Sequence, residues 1–474
     1  MLPVWLIVAG CTTGRDSASA WDSRPGSDFV DSGTAAPFGP PVVIGAGLAG
    51  LAAAADLPGA IVLEASDAPG GRAANWGQRR FFFHGTDVQV ALGAEESVEE
   101  VMADWPSMTG GEATDDTRTF LAESASVHDR MEALGLRFLD PPGPDLITGR
   151  DELFTVEAEG DELAAAFVAS AAAGVELRLS TPATSLLVDD SGLIGVETAD
   201  GVIETNRVLL ATGGYTGRID IVERYASWPA GTWEAPHEEN SGFAWDLAQS
   251  LGLGLSHLDA MGAFDGYLGD YAGGGILPLG TAAPLLWVDR TGQRFVDESE
   301  LGSIELETAF WAHDPTTVVT TDADVLSFAY LGTDDEYLSV LRCYPSFAAL
   351  AAAEGVDPVG LQATVEAVKA FHAATATDPL GRAGYDFPAL AGTPCAATEA
   401  RKTAKSYGGV TVDDEGRALM ADGSVLPGLW VAGEAAGMGA PGMGGLRGFD
   451  GSLSAVVWSG WRAAASMNAA GIGP

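Results

Sequence analysis

The chain has 474 residues, 47% of them hydrophobic, enough to bury a large core in about three domain-sized units; this excludes a disordered polymer. Its 66 Asp and Glu outnumber 24 Lys and Arg, and the net charge of −42 excludes nucleic acid and anionic lipid as partners of the folded surface. Three cysteines, Cys11, Cys343 and Cys395, occur without Cys-x-x-Cys-His or His-Glu-x-x-His, which points to neither covalent haem nor a metal centre on this chain.

Met1 to Gly10 is apolar and too short to span a bilayer. It runs into Val8-Ala9-Gly10-Cys11, which is similar to a bacterial lipobox, where small residues precede a cysteine that is lipidated and becomes the mature N-terminus. The usual positive charge ahead of the apolar stretch is missing. Residues 12–40 are rich in Ser, Gly, Asp and Pro without an apolar period, the composition of a flexible tether. The expectation is a signal and tether over 1–40, membrane-tethered through a lipidated Cys11 at the periplasmic or outer face; a cytoplasmic chain is the alternative.

Val42, Val43 and Ile44 are a short β-branched run of the kind buried on both faces of a sheet. Gly45, Ala46, Gly47, Leu48, Ala49 and Gly50 follow, with glycines at G-x-G-x-x-G spacing, and lead into an Ala/Leu helix from Leu48 to Leu57. The first glycine allows a tight turn, the second lets backbone approach a pyrophosphate, and the third brings helix against strand. Ala60 to Leu63 reads as the next strand and delivers Glu64, then Ala65, where a ribose-binding acid belongs. The register of strand, glycines, helix, strand and acid predicts an ADP-binding half-motif. A second glycine turn, Asp67-Ala68-Pro69-Gly70-Gly71-Arg72, sits one short loop later and is expected to contact the same pyrophosphate.

Further on, Phe81, Phe82 and Phe83 before His84 suggest packing. Leu209 to Thr212 is an apolar strand ending at Gly213-Gly214, and Leu429 to Ala432 repeats that design before Gly433 and Glu434. In an open α/β sheet, ligands sit beyond the carboxyl ends of strands, which is where all these turns lie. Ser346 to Glu354 and Leu361 to Ala374 read as helices, the second with Leu361, Val365, Val368 and Phe371 near helical spacing. Cys343 and Cys395 either pair in an oxidising compartment or remain two buried thiols.

From about Val42 to the C-terminus the chain resembles the FAD-dependent family of fumarate reductase and succinate dehydrogenase flavoproteins, soluble fumarate reductases and ketosteroid dehydrogenases. The motifs that carry the likeness run in order. After the dinucleotide motif come Gly85-Thr86 with Gln89, Asp104-Trp105, Glu123-Ser124-Ala125 and Leu134-Gly135. Ala183-Thr184-Ser185-Leu186-Leu187-Val188-Asp189-Asp190 resembles the hairpin strand that passes the adenine, and Val208 to Gly214 the strand and turn near the cofactor. Gly292 to Glu298 is similar to a G-x-R-F-x-N/D-E signature, and Leu429 to Glu434 to the late strand whose acid faces the ribityl chain. The resemblance implies an α/β fold: a Rossmann-like dinucleotide-binding FAD domain interrupted by a smaller α+β capping (substrate) domain. The implied boundaries are 41–258 and 407–474 for the FAD-binding parts and 259–406 for the cap, whose Asp265 to Gly275 loop would lie over the flavin. Ser452 and Leu453, opening a last helix through Ala464, would contact the flavin pyrimidine ring, where the helix dipole favours the charge of reduced flavin. His84 occupies the segment used for covalent flavin attachment in membrane-bound relatives, but its neighbours match that motif poorly.

The resemblance fails at the substrate clamp. An arginine that donates a proton in soluble fumarate reductases aligns with Gly302, and one clamping histidine with Phe264 or Asp265. Lys405, before Ser406-Tyr407-Gly408-Gly409, stands where the other clamping histidine would be. Arg447, in Gly445-Leu446-Arg447-Gly448, matches the arginine that pairs with a substrate carboxylate. The tyrosine trio of ketosteroid dehydrogenases is not evident, although Tyr267, Tyr271 and Tyr407 are available acids. Two desolvated carboxylates need several cations, and Arg447 with Lys405 would hold one. The candidate catalytic residues are therefore Arg447, Lys405 and Tyr407. The reading is an FAD-dependent oxidoreductase acting on a C–C or C=C bond of a small-molecule substrate, and not a genuine fumarate reductase. Electrons would pass to or from a cytochrome, a quinone or oxygen. The alternatives are a flavin-binding surface protein without catalysis and a fumarate-reductase-like enzyme with a substituted site.

Overall fold

Val42, Val43 and Ile44 lie at the centre of a six-stranded sheet, each 4% exposed or less. They are seen in a computed structural model that describes residues 38–71, 80–109, 113–139, 153–155, 157, 160–171, 174–225, 233–234, 239–267, 285–298, 313, 316–327, 341–383, 387–437 and 452–471. The sheet runs in the order Arg417–Leu419, Val425–Val431, Val208–Leu210, Val42–Ile44, Ile61–Leu63, Glu176–Arg178. All neighbours are parallel except the outermost pair of Arg417–Leu419 with Val425–Val431. This is the parallel α/β sheet that the buried apolar runs predict.

Two helices cover one part of that sheet. Leu48–Ala54 follows the first strand, and Leu453–Gly471 crosses it so closely that a Cβ on Gly460 would stand 2.2 Å from the carbonyl oxygen of Ala49. The first helix is shorter than expected. It ends at Ala54 because Pro58 bars helical geometry at the residue before it, and Leu57 is buried instead within the turn. The last helix is longer than expected, running past Ala464 to Gly471. The expected hairpin is the start of a three-stranded meander, Ala183–Asp189, Gly192–Thr198 and Gly201–Glu204.

A second sheet is drawn from segments between 233 and 406, around the 13-residue strand Pro394–Ser406. Thr317–Thr321, Arg342–Cys343 and Met261–Tyr267 pair with it antiparallel, and Leu286–Val288 extends the sheet from Thr317–Thr321. Helices Phe347–Glu354, capped by Ser346, and Pro358–His372, capped by Asp357, pack here; Leu361, Val365, Val368 and Phe371 form the buried face predicted from their spacing. Beneath them, Glu298 accepts from Arg294 Nε and Nη2 (2.8 and 2.6 Å), from Arg382 Nη1 (3.2 Å) and from the Trp287 backbone N–H (3.0 Å). Arg294 also reaches Asp378 at 3.1 Å, so the signature Gly292 to Glu298 supplies half of a buried four-charge network.

Phe81, Phe82 and Phe83 are fully buried, packed with Trp105, Phe120, Phe138 and Phe154. His84 is buried beside them, its backbone exchanging hydrogen bonds with the Ser124 hydroxyl. Cys343 lies directly across from Cys395, with Cα atoms 4.0 Å apart, and the two form a disulfide. The picture of two buried thiols is thereby corrected, since Cys343 is exposed and only Cys395 is enclosed. Among the described residues, no helix is long and apolar enough to cross a membrane.

Candidate functional site

Because five strands of the first sheet run parallel, their carboxyl ends fall on one edge, and four of these ends matter here. Gly45 follows the first of them, Glu64 the second, Ala211 and Thr212 the third, and Ala432 and Gly433 the fourth. That edge borders a cavity of about 390 Å³. It is lined by Gly45, Gly47, Leu48 and Ala49 from the first turn, Glu64 and Ala65 from the second, and Gly70 and Gly71 from the glycine loop. Ala183, Ala211, Thr212, Gly213, Gly433, Glu434 and Leu453 complete the predicted part of the lining.

The glycines differ in what they do. A Cβ on Gly50 would lie 1.9 Å from the Gly45 carbonyl oxygen, so Gly50 serves helix-to-strand contact and not the cavity. A Cβ on Gly47 would meet no atom within 4 Å; the room there is the cavity itself. Glu64 is held ready. Its Oε2 accepts the Ala46 N–H at 2.7 Å, and its Oε1 accepts the N–H and hydroxyl of Ser66 at 2.9 and 2.8 Å. Thr212 Oγ1 is shielded from solvent yet has no protein partner, an acceptor and donor left for whatever fills the space. Among the described residues no Lys or Arg lines the cavity, whereas Glu64, Glu239 and Glu434 do. The N–H groups of Gly45 and Gly70 are already bonded to the Leu63 and Ala46 carbonyls, so what this described lining offers an anionic ligand is the remaining backbone N–H groups of the turns.

Some predicted contacts lie elsewhere. Ala46 does not line the cavity but anchors Glu64 through its backbone, as above. Thr184 is exposed, its hydroxyl donating to the Glu197 carbonyl across the hairpin, because alternate residues of a strand face opposite ways and Ala183 takes the inner position. Gly214 is packed under Ser406, whose Oγ would stand 2.0 Å from a Cβ added there, and Ser452 is likewise off the lining. Arg72 and Arg447 lie outside the described residues. So does most of the Asp265 to Gly275 loop, Tyr271 included, and so does Gly302.

The lining also includes residues that sequence reasoning missed: Ile44, Leu63, Ser66, Pro182, Glu239, Asn240, Ser241, Phe243 and Val456. Ile44, Leu63 and Pro182 directly adjoin predicted residues and could have been found by extending each turn by one position. Asn240, ahead of the helix Phe243–Leu251, had no such signal.

A second cluster forms where the Pro394–Ser406 strand ends. Lys405 Nζ lies 3.0 Å from Ser452 Oγ and 5.8 Å from the centroid of the Tyr407 ring. The Ser406 N–H donates to Glu434 Oε1 at 3.2 Å, and Ser406 Oγ is buried without a partner. Tyr407 is 2% exposed, with its N–H bonded to the Ala260 carbonyl. Lys405, Tyr407, Glu434 and Ser452 are thus brought together from segments far apart in the chain. Tyr215, one residue past Gly214, donates to the Leu258 carbonyl at 2.9 Å. Burial, with Asp259 and Glu434 nearby, pushes its phenol far above the ordinary range, so it stays neutral and structural.

Comparison with known proteins gives the same outline. A family model described as "FAD binding domain" matches residues 41–449. A vinyl phenol reductase from Lactiplantibacillus plantarum is 32% identical over 147 residues, covering 27% of this chain and 29% of the relative. An NADH:acrylate oxidoreductase from Vibrio harveyi is 24% identical over 276 residues, covering 54% and 27%. The matched part of this chain thus spans less than a third of either curated relative. Among solved structures, the open conformation of a flavocytochrome c3 fumarate reductase superposes with a TM-score of 0.73 at 21% identity, over 92% of this chain and 79% of that one. A 3-ketosteroid-Δ4-(5α)-dehydrogenase from Rhodococcus jostii RHA1 gives 0.67 at 22%, over 90% and 96%. Likeness of this degree establishes the fold.

Proposed function

The chain belongs to the FAD binding domain family, and on that premise we propose that it is an FAD-dependent oxidoreductase acting on a C=C bond conjugated to one polar anchoring group. The observation that carries the reading is the meeting of Lys405, Tyr407, Glu434 and Ser452 beside the cavity that suits the cofactor. The donor set fits FAD: acid-anchored ribose at Glu64, backbone N–H groups and the open space at Gly47 for the diphosphate, and the unpartnered Thr212 hydroxyl.

When bound, FAD supplies hydride acceptance or donation. The protein's own residues have three tasks. Lys405 offers a cation at the end of its strand, which would hold a single carboxylate or carbonyl oxygen and keep a proton within reach of it. Tyr407 closes that corner with a buried ring and so excludes water. Glu434 fixes the Ser406 backbone and with it the direction of Lys405.

Among the described residues Lys405 is the cation at this corner, which argues for one anchoring group on the substrate, against the two carboxylates of fumarate, because an unpaired buried charge costs several kcal/mol. The relatives named for vinyl phenol and for acrylate fit this class, each substrate carrying one C=C bond and one polar group. Cys11 after an apolar leader, the tether over 12–40 and a disulfide at Cys343–Cys395 together support a site outside the reducing cytosol. A cytochrome, a quinone or oxygen would then exchange electrons with the protein.

The test is reoxidation of photoreduced holoprotein by a panel of acrylates, enones, vinyl phenols and fumarate. Rapid reoxidation by a singly anchored acceptor and slow reoxidation by fumarate is expected. Preference for fumarate would restore the dicarboxylate reading, and failure with every acceptor would leave a flavin-binding protein without catalysis.

A further inference from the structure

Asn240 is 2% exposed, lines the cavity, and meets the Thr212-Gly213-Gly214 turn from a distant part of the chain. Its Oδ1 accepts the Gly214 N–H at 3.4 Å, and its Nδ2 donates to Thr216 Oγ1 at 2.8 Å. Its backbone carbonyl accepts the Gly217 N–H at 3.0 Å, and two residues on, the Gly242 N–H donates to the Gly214 carbonyl at 3.1 Å. Gly213 has φ of +75°, and a Cβ there would lie 3.0 Å from Asn240 Oδ1. The turn is therefore shaped on one side by its glycines and on the other by this carboxamide.

We infer that Asn240 is the positioning residue of the flavin site: it holds the Thr212–Gly214 turn in the form that receives FAD. A carboxamide is what the place demands. It presents an acceptor to Gly214 and a donor to Thr216 at once, whereas an aliphatic side chain does neither and leaves the buried Gly214 N–H without that acceptor. The inference rests on the family reading that FAD occupies the cavity; it adds which residue outside the glycine turns governs how tightly and in what environment.

The experiment titrates FAD into the apo forms of wild type, Asn240→Ala, Thr216→Val and the double variant, following flavin fluorescence and, at saturation, the absorption spectrum of bound flavin. Asn240→Ala is expected to raise the dissociation constant by roughly tenfold or more, and Thr216→Val by a smaller factor. The double variant should bind no worse than Asn240→Ala, since both changes remove the same hydrogen bond. The bound-flavin spectrum should shift in Asn240→Ala, which a loss of general stability does not produce. Binding within twofold of wild type in Thr216→Val and Asn240→Ala, or strictly additive effects, overturns the inference and leaves FAD binding standing. If Asn240→Ala fails to fold, Thr216→Val alone decides by the same criterion. A wild-type chain that takes up no FAD overturns the cofactor reading itself.

Discussion

The ammonium of Lys405 lies 3.0 Å from the hydroxyl of Ser452, so the end of a 13-residue strand and the mouth of the last helix share one contact. The contact places a cation 5.8 Å from the centroid of the Tyr407 ring, one residue before Ser406, whose N–H donates to Glu434. Replacing Lys405 with Met should leave FAD binding unchanged within about twofold, since no atom of Lys405 lines the cavity. Reoxidation of the reduced enzyme by its acceptor should fall roughly a hundredfold, the scale of a lost proton donor or anchor. Lys405→Arg should recover part of it. Stopped-flow absorbance measures both, and an unchanged rate in Lys405→Met removes Lys405 from the mechanism.

Two glycines three residues apart should respond in opposite ways. Gly47 has an ordinary φ of −75° and open space around it, so Gly47→Ala should cost the apoprotein no more than about 1 kcal/mol, the loss expected of Ala at a helix N-cap. Its methyl would intrude on the diphosphate, weakening FAD roughly tenfold to a hundredfold. Gly50→Ala should destabilise the apoprotein by about 1–3 kcal/mol, because its Cβ meets the Gly45 carbonyl at 1.9 Å. Urea unfolding of both apo variants, beside an FAD titration, checks the contrast.

The carboxylate of Glu298 is shared by two buried guanidiniums. Glu298→Gln leaves Arg294 with Asp378 and removes the carboxylate charge that Arg294 and Arg382 share. The expected cost is about 3–5 kcal/mol of unfolding free energy. A loss below 1 kcal/mol in urea denaturation would mean that this network carries little of the second sheet's stability.

The disulfide closes a segment with a sequence separation of 52 residues, the one that brings Asp378 and Arg382 to the network. The chain-entropy account assigns it about 4 kcal/mol. Reduction should lower the urea midpoint, and Cys343→Ser should reproduce the shift without reductant. In protein whose Cys11 is replaced, the unfolded oxidised chain should show no reactive thiol. A thiol detected there contradicts the bond.

The net charge of −42 gives the folded surface a self-repulsion that salt screens. The melting temperature should therefore rise between low and physiological sodium chloride, the opposite of what loss of surface ion pairs alone would give. Calorimetry across that range measures the sign.

The cofactor edge was legible because each of its pieces is local. A β-branched triplet, a glycine at a turn and an acid after the next strand are separated by short, regular intervals, so spacing carries the geometry. The hairpin was legible too, but not which of its residues faces inward: Ala183 and Thr184 differ by one position and lie on opposite faces. Asn240 sits in Glu239-Asn240-Ser241-Gly242, a stretch that carries no motif. Its role exists only because the chain returns there to the Gly213 turn, 26 residues from Gly214 in sequence.

By itself the sequence determined the nucleotide-binding edge and its parallel sheet, because those follow from backbone freedom at glycine and from buried apolar runs, while the family rested on the resemblance of its ordered motifs. The tertiary structure alone decided which cysteines bond, which charges neutralise Glu298, and that Lys405 and Ser452 meet across 47 residues. Those pairings depend on how distant strands register against one another, and no interval along the chain encodes that register.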